Sequence, residues 1–119
     1  MRVFVCDDST EYRTLIKLVL DAPYEIVGEA SDGLEAIERA PGSDPDVLLL
    51  DVNMPRMGGY EALPKLREVL SPETKIIILT SGRDEDEESR ALAAGADAFV
   101  RKPESVMALP DDISTALAS

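Results

Sequence analysis

The sequence predicts an α/β domain with a doubly wound parallel sheet, and three observations carry that reading. Five short apolar runs alternate with segments of helical period, the order that results when helices return successive strands to one parallel sheet. Each run is bounded by polar residues, as in strands buried on both faces. Two of the runs end directly on carboxylates, Asp7-Asp8 after the first and Asp51 after the third.

The first strand is read over Val3–Cys6. Tyr12, Leu15, Ile16 and Val19 follow with the i, i+3, i+4, i+7 spacing of a one-sided helix, which Asp8 or Ser9 is placed to cap. Ile26-Val27 marks the second strand, and Leu34 with Ile37 begins a shorter second helix. Pro-Gly-Ser-Asp-Pro at 41 to 45 reads as the turn before the third strand, Val47–Leu50. Leu63, Leu66 and Leu70 mark the third helix, in which Pro64 predicts a kink or a late start. After the fourth strand, Ile76–Leu79, the acidic run from Asp84 to Glu88 reads as the exposed N-terminus of a helix containing Leu92, favoured by the helix dipole. Gly95 stands where a left-handed cap is expected. Ala98–Val100 is the fifth strand, and Pro110 opens the last helix, marked by Ile113 and Leu117.

In open sheets of this kind ligands bind outside the carboxyl ends of the strands. Asp7, Asp8, Asp51, Thr80 and Lys102 all fall just past strand ends, so the fold gathers them at one edge. Carboxylates a few Å apart repel by about 4 kcal/mol per pair at an effective dielectric near 20, so such a cluster calls for a cation or a shared proton. The pattern points to metal-assisted chemistry.

Composition narrows the field. A length of 119 residues suits one domain spanning 1–119, with a core that removes roughly two-thirds of the unfolded surface from water. Acidic residues outnumber basic ones 24 to 12, for a net charge of −12, and no basic stripe could neutralise phosphates, which argues against direct nucleic-acid binding by this segment. Cys6 is the single cysteine, inside a strand, so neither a disulfide framework nor a thiolate metal site is expected and a reducing cytoplasm fits. No apolar run approaches the roughly 18 residues that span a bilayer, and a strand starts straight after Met1, so neither membrane insertion nor export is expected. Histidine is absent, which removes His-based acid/base chemistry and any internal phosphohistidine; a phosphoryl donor has to be another molecule.

Four short motifs, each at a strand end, are specific in combination. They are Asp7-Asp8, Leu-Asp-Val-Asn-Met-Pro at 50 to 55 with Gly58-Gly59 behind it, Thr80-Ser81, and Ala-Gly-Ala-Asp-Ala-Phe-Val-Arg-Lys-Pro at 94 to 103. With them the chain resembles the response-regulator receiver domain, the phosphoacceptor module of two-component signalling, over essentially its whole length. The resemblance implies a flavodoxin-like (βα)5 fold with strand order 2-1-3-4-5.

It also implies roles. Asp51 is the expected nucleophile, forming an aspartyl phosphate. Asp8 and Asp51 are the expected side-chain ligands of Mg²⁺, with Mn²⁺ a possible substitute, Asp7 a ligand through water, and the Asn53 carbonyl the third protein ligand. Lys102 and the Thr80 hydroxyl are expected to meet phosphoryl oxygens, and Phe99 to be the aromatic switch residue that moves inward with Thr80. A packed core Phe is the rival reading of Phe99, and core packing is the reading of Cys6. Asn53 and Gly82 match rate-tuning positions, Met54 and Met57 shape the loop beside the site, and Pro103 matches a cis proline.

The expected function is transfer of a phosphoryl group to Asp51 from a sensor histidine kinase, a phosphotransfer protein or a small donor, followed by a shift of the α4-β5-α5 surface toward a partner or an attached output domain. The domain is expected to be no enzyme beyond self-catalysed phosphorylation and slow autodephosphorylation. A phosphorylation-dependent homodimer belongs to the same expectation. Two other readings stand beside it: a phosphorylation-independent binding module on the same scaffold, and a phosphatase of the haloacid dehalogenase type. The latter needs a second Asp where this chain has Asn53.

Overall fold

The computed structural model describes residues 1–118 as β1 (Arg2–Cys6), α1 (Thr10–Val19), β2 (Glu25–Ala30), α2 (Gly33–Ser43), β3 (Val47–Leu50), α3 (Gly59–Val69), β4 (Lys75–Thr80), α4 (Glu87–Ala93), β5 (Ala98–Arg101) and α5 (Leu109–Ala118), with a 3₁₀ turn at Val106–Ala108 before α5. All pairings are parallel and the strand order is β2-β1-β3-β4-β5, the flavodoxin-like order.

Alternation along the strands divides the core into two layers. Phe4, Cys6, Leu48, Leu50, Ile76 and Ile78 face α2, α3 and α4. Val3, Val5, Val47, Leu49, Ile77 and Leu79 face α1 and α5 through Ile16, Leu109 and Ile113. Strands covered on both sides can be apolar at every position, and β3 is buried throughout. Cys6 lies in this core, where burial pushes its thiol far up, so it is packing material.

Helix ends explain the loops. Ser9, not Asp8, caps α1: its Oγ accepts the Tyr12 N–H at 3.0 Å, which keeps the Asp8 carboxylate out of the cap. Asp32 does the same for α2, accepting from Glu35 N at 2.9 Å. Gly95 follows α4 with φ 110°, as a left-handed cap requires.

Several expectations are corrected. α2 runs on through Pro41 and Gly42 to Ser43 and is closed by Asp44 in a left-handed conformation, so residues 41 to 43 are its last turn. α3 starts at Gly59 with Pro64 inside it; the exposed side on which Pro64 sits is where a forfeited backbone bond costs least, and the start is not late. Leu34 and Leu92 are exposed, because α2 and α4 approach the sheet through Gly33, Ala36, Ala40 and Ala91. Glu87 is buried, unlike the rest of its acidic run. Among the described residues the cis bond is Ala22–Pro23; Lys102–Pro103 is trans, the isomer an X-Pro bond prefers unless packing selects the other. Among the described residues no helix is long and apolar enough to cross a membrane.

Candidate functional site

β1 and β3 are neighbours in register, Cys6 beside Leu50, so the residues that follow them are brought together. The Asp51 N–H donates to the Cys6 carbonyl at 2.9 Å and the Asp7 N–H to the Ala30 carbonyl at 3.0 Å, which carries the ladder one residue past the strands and fixes both carboxylates at the sheet edge. Asp7, Asp8 and Asp51 each offer a carboxylate oxygen within 4.8 Å of the others. Asp7 and Asp51 are buried and Asp8 is exposed, so the cluster opens to solvent on the Asp8 side.

Lys102 closes the other side. Its N–H donates to the Thr80 carbonyl at 2.7 Å, continuing β5 past Arg101, and its Nζ lies 2.7 Å from Asp7 Oδ2 and 3.9 Å from Asp51 Oδ2. Asp7 is further held by the Ser9 N–H on Oδ1. Asp51 accepts the Val52 N–H at 2.9 Å. Burial pushes its carboxyl up to about 6 against the attraction of Lys102, and the charge of Asp7 adds to the rise. Asp51 is thus the carboxylate for which a further positive charge matters most.

One half-buried lysine charge faces three carboxylates, a donor set made only of oxygen. Hard oxygen ligands around an uncompensated negative charge suit a divalent cation of the Mg²⁺ class. The fit is therefore good: Asp7, Asp8 and Asp51 could hold such an ion.

The loop from Val52 to Gly58 is pinned from two sides. A Cβ at Gly59 would stand 2.3 Å from the Asp51 carbonyl oxygen, so only glycine lets α3 begin against the backbone of Asp51. Arg56 adopts a left-handed conformation, φ 63°, and its guanidinium reaches buried Asp32 at 2.7 and 2.8 Å. Gly33 N–H donates to the Met57 carbonyl at 2.8 Å, and Met57 packs in the core, so the loop that presents exposed Asn53 is tied to the start of α2.

Thr80 is fully buried at the end of β4, with its Oγ1 accepting the Gly82 N–H at 3.2 Å. Phe99 is half-buried against the α3–α4 layer. Arg101 lies 5.0 Å over its ring and donates to the carbonyls of Gly82 and Asp84, each at 2.7 Å, with buried Glu87 at 3.4 Å.

Every predicted site residue thus lies at the carboxyl edge or, for Phe99, two residues before the end of β5, beside Ile78. Sequence reasoning missed four residues around the site: Tyr12, whose ring lies 4.3 Å beneath Lys102 Nζ, Arg101, and the paired Arg56 and Asp32. Tyr12 carried only a core-face signal. A second basic residue between the apolar run Ala98–Val100 and Lys102 was the available hint for Arg101.

Fold and cluster together define a flavodoxin-like domain whose switch point is an acidic, cation-seeking edge. The chain belongs to the response regulator receiver domains of two-component signalling, whose family model matches residues 3–114. It is 35% identical to the chemotaxis protein CheY of Halobacterium salinarum over 98% of this chain and 96% of that protein. The nitrate/nitrite response regulator NarL of Escherichia coli is 40% identical over 97% of this chain, which spans 52% of that longer protein. The response regulator domain of Thermotoga maritima CheB superposes with a TM-score of 0.84 at 32% identity, covering 100% of this chain and 97% of that one.

Proposed function

We propose that residues 1–119 form a single receiver domain that accepts a phosphoryl group on Asp51 and converts the added charge into a change of its α4-β5-α5 surface. The observation that carries this reading is the buried Asp51 carboxylate, held 3.9 Å from Lys102 inside a three-carboxylate cluster. Asp8 and Asp51, with Asp7 behind them and the Asn53 carbonyl, are the groups that would hold Mg²⁺ or Mn²⁺. When bound, such an ion supplies charge neutralisation that lets an anionic nucleophile meet an anionic donor.

The donor is a phosphohistidine of a kinase or phosphotransfer protein, since this chain has no histidine of its own, or a small phosphodonor. An Asp51 Oδ attacks phosphorus, the P–N bond of the donor breaks, and the electron pair leaves with the imidazole nitrogen, which leaves an acyl phosphate on Asp51. Lys102 turns from Asp7 to a phosphoryl oxygen. The Thr80 hydroxyl exchanges its Gly82 partner for another phosphoryl oxygen, and the β4–α4 loop and Phe99 follow. Water later cleaves the acyl phosphate slowly, at a rate set in part by Asn53 and Gly82.

The readout is a downstream protein or an attached output domain, reached by the rearranged surface or by a phosphorylation-dependent homodimer. The setting is the cytoplasm, and the acidic surface leaves no role for direct nucleic-acid contact. Intact-protein mass after incubation with acetyl phosphate tests the reading. A Mg²⁺-dependent gain of one phosphoryl group in the wild type and none in Asp51→Asn is expected. An equal gain in Asp51→Asn would overturn the assignment of the acceptor, and no gain from a small donor or a phosphorylated kinase would overturn the function.

A further inference from the structure

We infer that Tyr12 is the positioning residue for Lys102, holding its ammonium over the face of the phenol ring so that it stands beside Asp51; the inference rests on the phosphoacceptor reading for its purpose but not for its geometry. Lysine is a compact charge on a flexible four-carbon stem and does not hold one position unaided. Among the described residues Nζ meets, besides Asp51, Asp7 Oδ2 at 2.7 Å and the Tyr12 ring at 4.3 Å from its centroid. The first alone would draw the ammonium toward β1. The ring supplies a second attraction, since the face of an aromatic ring carries negative charge density and a cation over it at this distance is stabilised.

Tyr12 is itself well fixed. Its N–H is capped by Ser9, in the stretch that follows Asp7-Asp8 directly, and its ring packs among the α1–α5 layer with Leu109 and Ile113. Its hydroxyl explains nothing: among the described residues Tyr12 Oη is the one buried side-chain polar atom without a hydrogen-bond partner. A buried hydroxyl left unpaired costs stability, so a phenylalanine would pack at least as well. What the position uses is the ring face, and the group over that face is Lys102.

The test compares Tyr12→Phe, which keeps the ring, with Tyr12→Leu, which removes it. The first readout is the NMR resonance of the Lys102 Hε protons, recorded without donor or metal: an ammonium arm over a ring face is shifted upfield. The shift is expected in the wild type and in Tyr12→Phe and is expected to be lost in Tyr12→Leu. An unshifted wild-type resonance, or one that Tyr12→Leu leaves in place, overturns the inference whatever the fate of the phosphoacceptor reading. The second readout is the initial rate of phosphorylation from phosphoramidate with Mg²⁺. Tyr12→Phe is expected within about twofold of wild type and Tyr12→Leu about 3- to 30-fold slower, the range that a cation–π contact of this burial spans. Equal slowing in both variants would move the role to the hydroxyl and overturn the inference. If Tyr12→Leu unfolds, Tyr12→Met refills the space without a ring and carries the same expectations. A wild type that gains no phosphoryl group overturns the functional reading instead, and the resonance then decides the positioning alone.

Discussion

Lys102 Nζ lies 2.7 Å from Asp7 and 3.9 Å from Asp51, so the lysine that would greet a phosphoryl group is paired with the carboxylate next to the proposed acceptor. The site is poised, with its cation parked one strand away and Asp51 left as the least compensated buried acid. Removing one partner of a buried pair costs more than the pair itself contributes, because the remaining charge is stranded. Lys102→Met is therefore expected to lower stability by about 1–3 kcal/mol in urea unfolding at neutral pH. The loss is expected to be smaller in the Asp7→Asn background, where Asp51 at 3.9 Å is the buried carboxylate still left without its cation.

Asp51 should make stability fall as pH rises. Its carboxyl titrates near 6 in the folded protein and near 3.8 otherwise, so the folded state binds the extra proton between these values and stability drops through that window. In metal-free buffer Asp51→Asn is expected to unfold later than wild type by about 1–3 kcal/mol at pH 7.5. The difference should shrink below pH 6 and disappear by pH 4. A gain that persisted at pH 4 would assign the effect to packing and not to charge.

Divalent cation should reverse that penalty. An ion that binds only the folded site stabilises by about 1.4 kcal/mol at ten times its dissociation constant. Thermal unfolding of the wild type is expected to rise with Mg²⁺ and that of Asp8→Asn to be nearly indifferent. Equal stabilisation of the two would place the ion elsewhere.

Thr80→Ala is expected to accept a phosphoryl group at close to the wild-type extent but to transmit it poorly, with partner affinity or dimerisation changing little on phosphorylation. Thr80→Ser, which restores the hydroxyl that now bonds Gly82, is expected to recover most of the response. An unaltered response in Thr80→Ala would remove this residue from the switch.

Arg56 sits at φ 63°, where a non-glycine residue costs about 1–2 kcal/mol, and its ion pair with Asp32 is partly exposed. Arg56→Gly loses the pair and relieves the strain, whereas Arg56→Ala loses the pair and keeps it. Arg56→Gly is expected to be the more stable of the two by about 1 kcal/mol in urea unfolding. The reverse order would show that the left-handed conformation at residue 56 carries little strain, so that the extra chain entropy of glycine decides.

Much of this architecture was legible because buried parallel strands leave a strong trace: runs such as Val47–Leu50 fix the strand, and its end fixes Asp51. Patterns based on large apolar residues failed where helices approach the sheet closely. α2 docks through Gly33, Ala36 and Ala40, so Leu34, the obvious candidate, faces outward. Proline was overweighted for a related reason: Pro41 and Pro64 stand where the bond they forfeit lies at a helix end or on the open side, and tertiary packing carries the helix through. At the site, the carboxylates and Lys102 were readable because strand ends converge by topology. Tyr12, Asp32 and Arg101 were not, since nothing local distinguishes a ring or a charge that folds against a residue from another element.

β3 lies at the middle of the sheet, paired with β1 on one side and β4 on the other, whereas β5 is an edge with β4 as its single neighbour. Opening β3 means taking the domain apart, so amides there should exchange with solvent only through global unfolding. β5, paired on one side only, is expected to open at lower cost. Asp51 therefore follows a central strand and Phe99 lies on an edge one, so on the proposed reading the phosphoacceptor and the switch residue sit on strands of unequal protection. Hydrogen exchange would read this as slow Leu49 and Leu50 amides beside a faster β5, and the charge delivered to the rigid strand would be felt as a change in protection of the loose one.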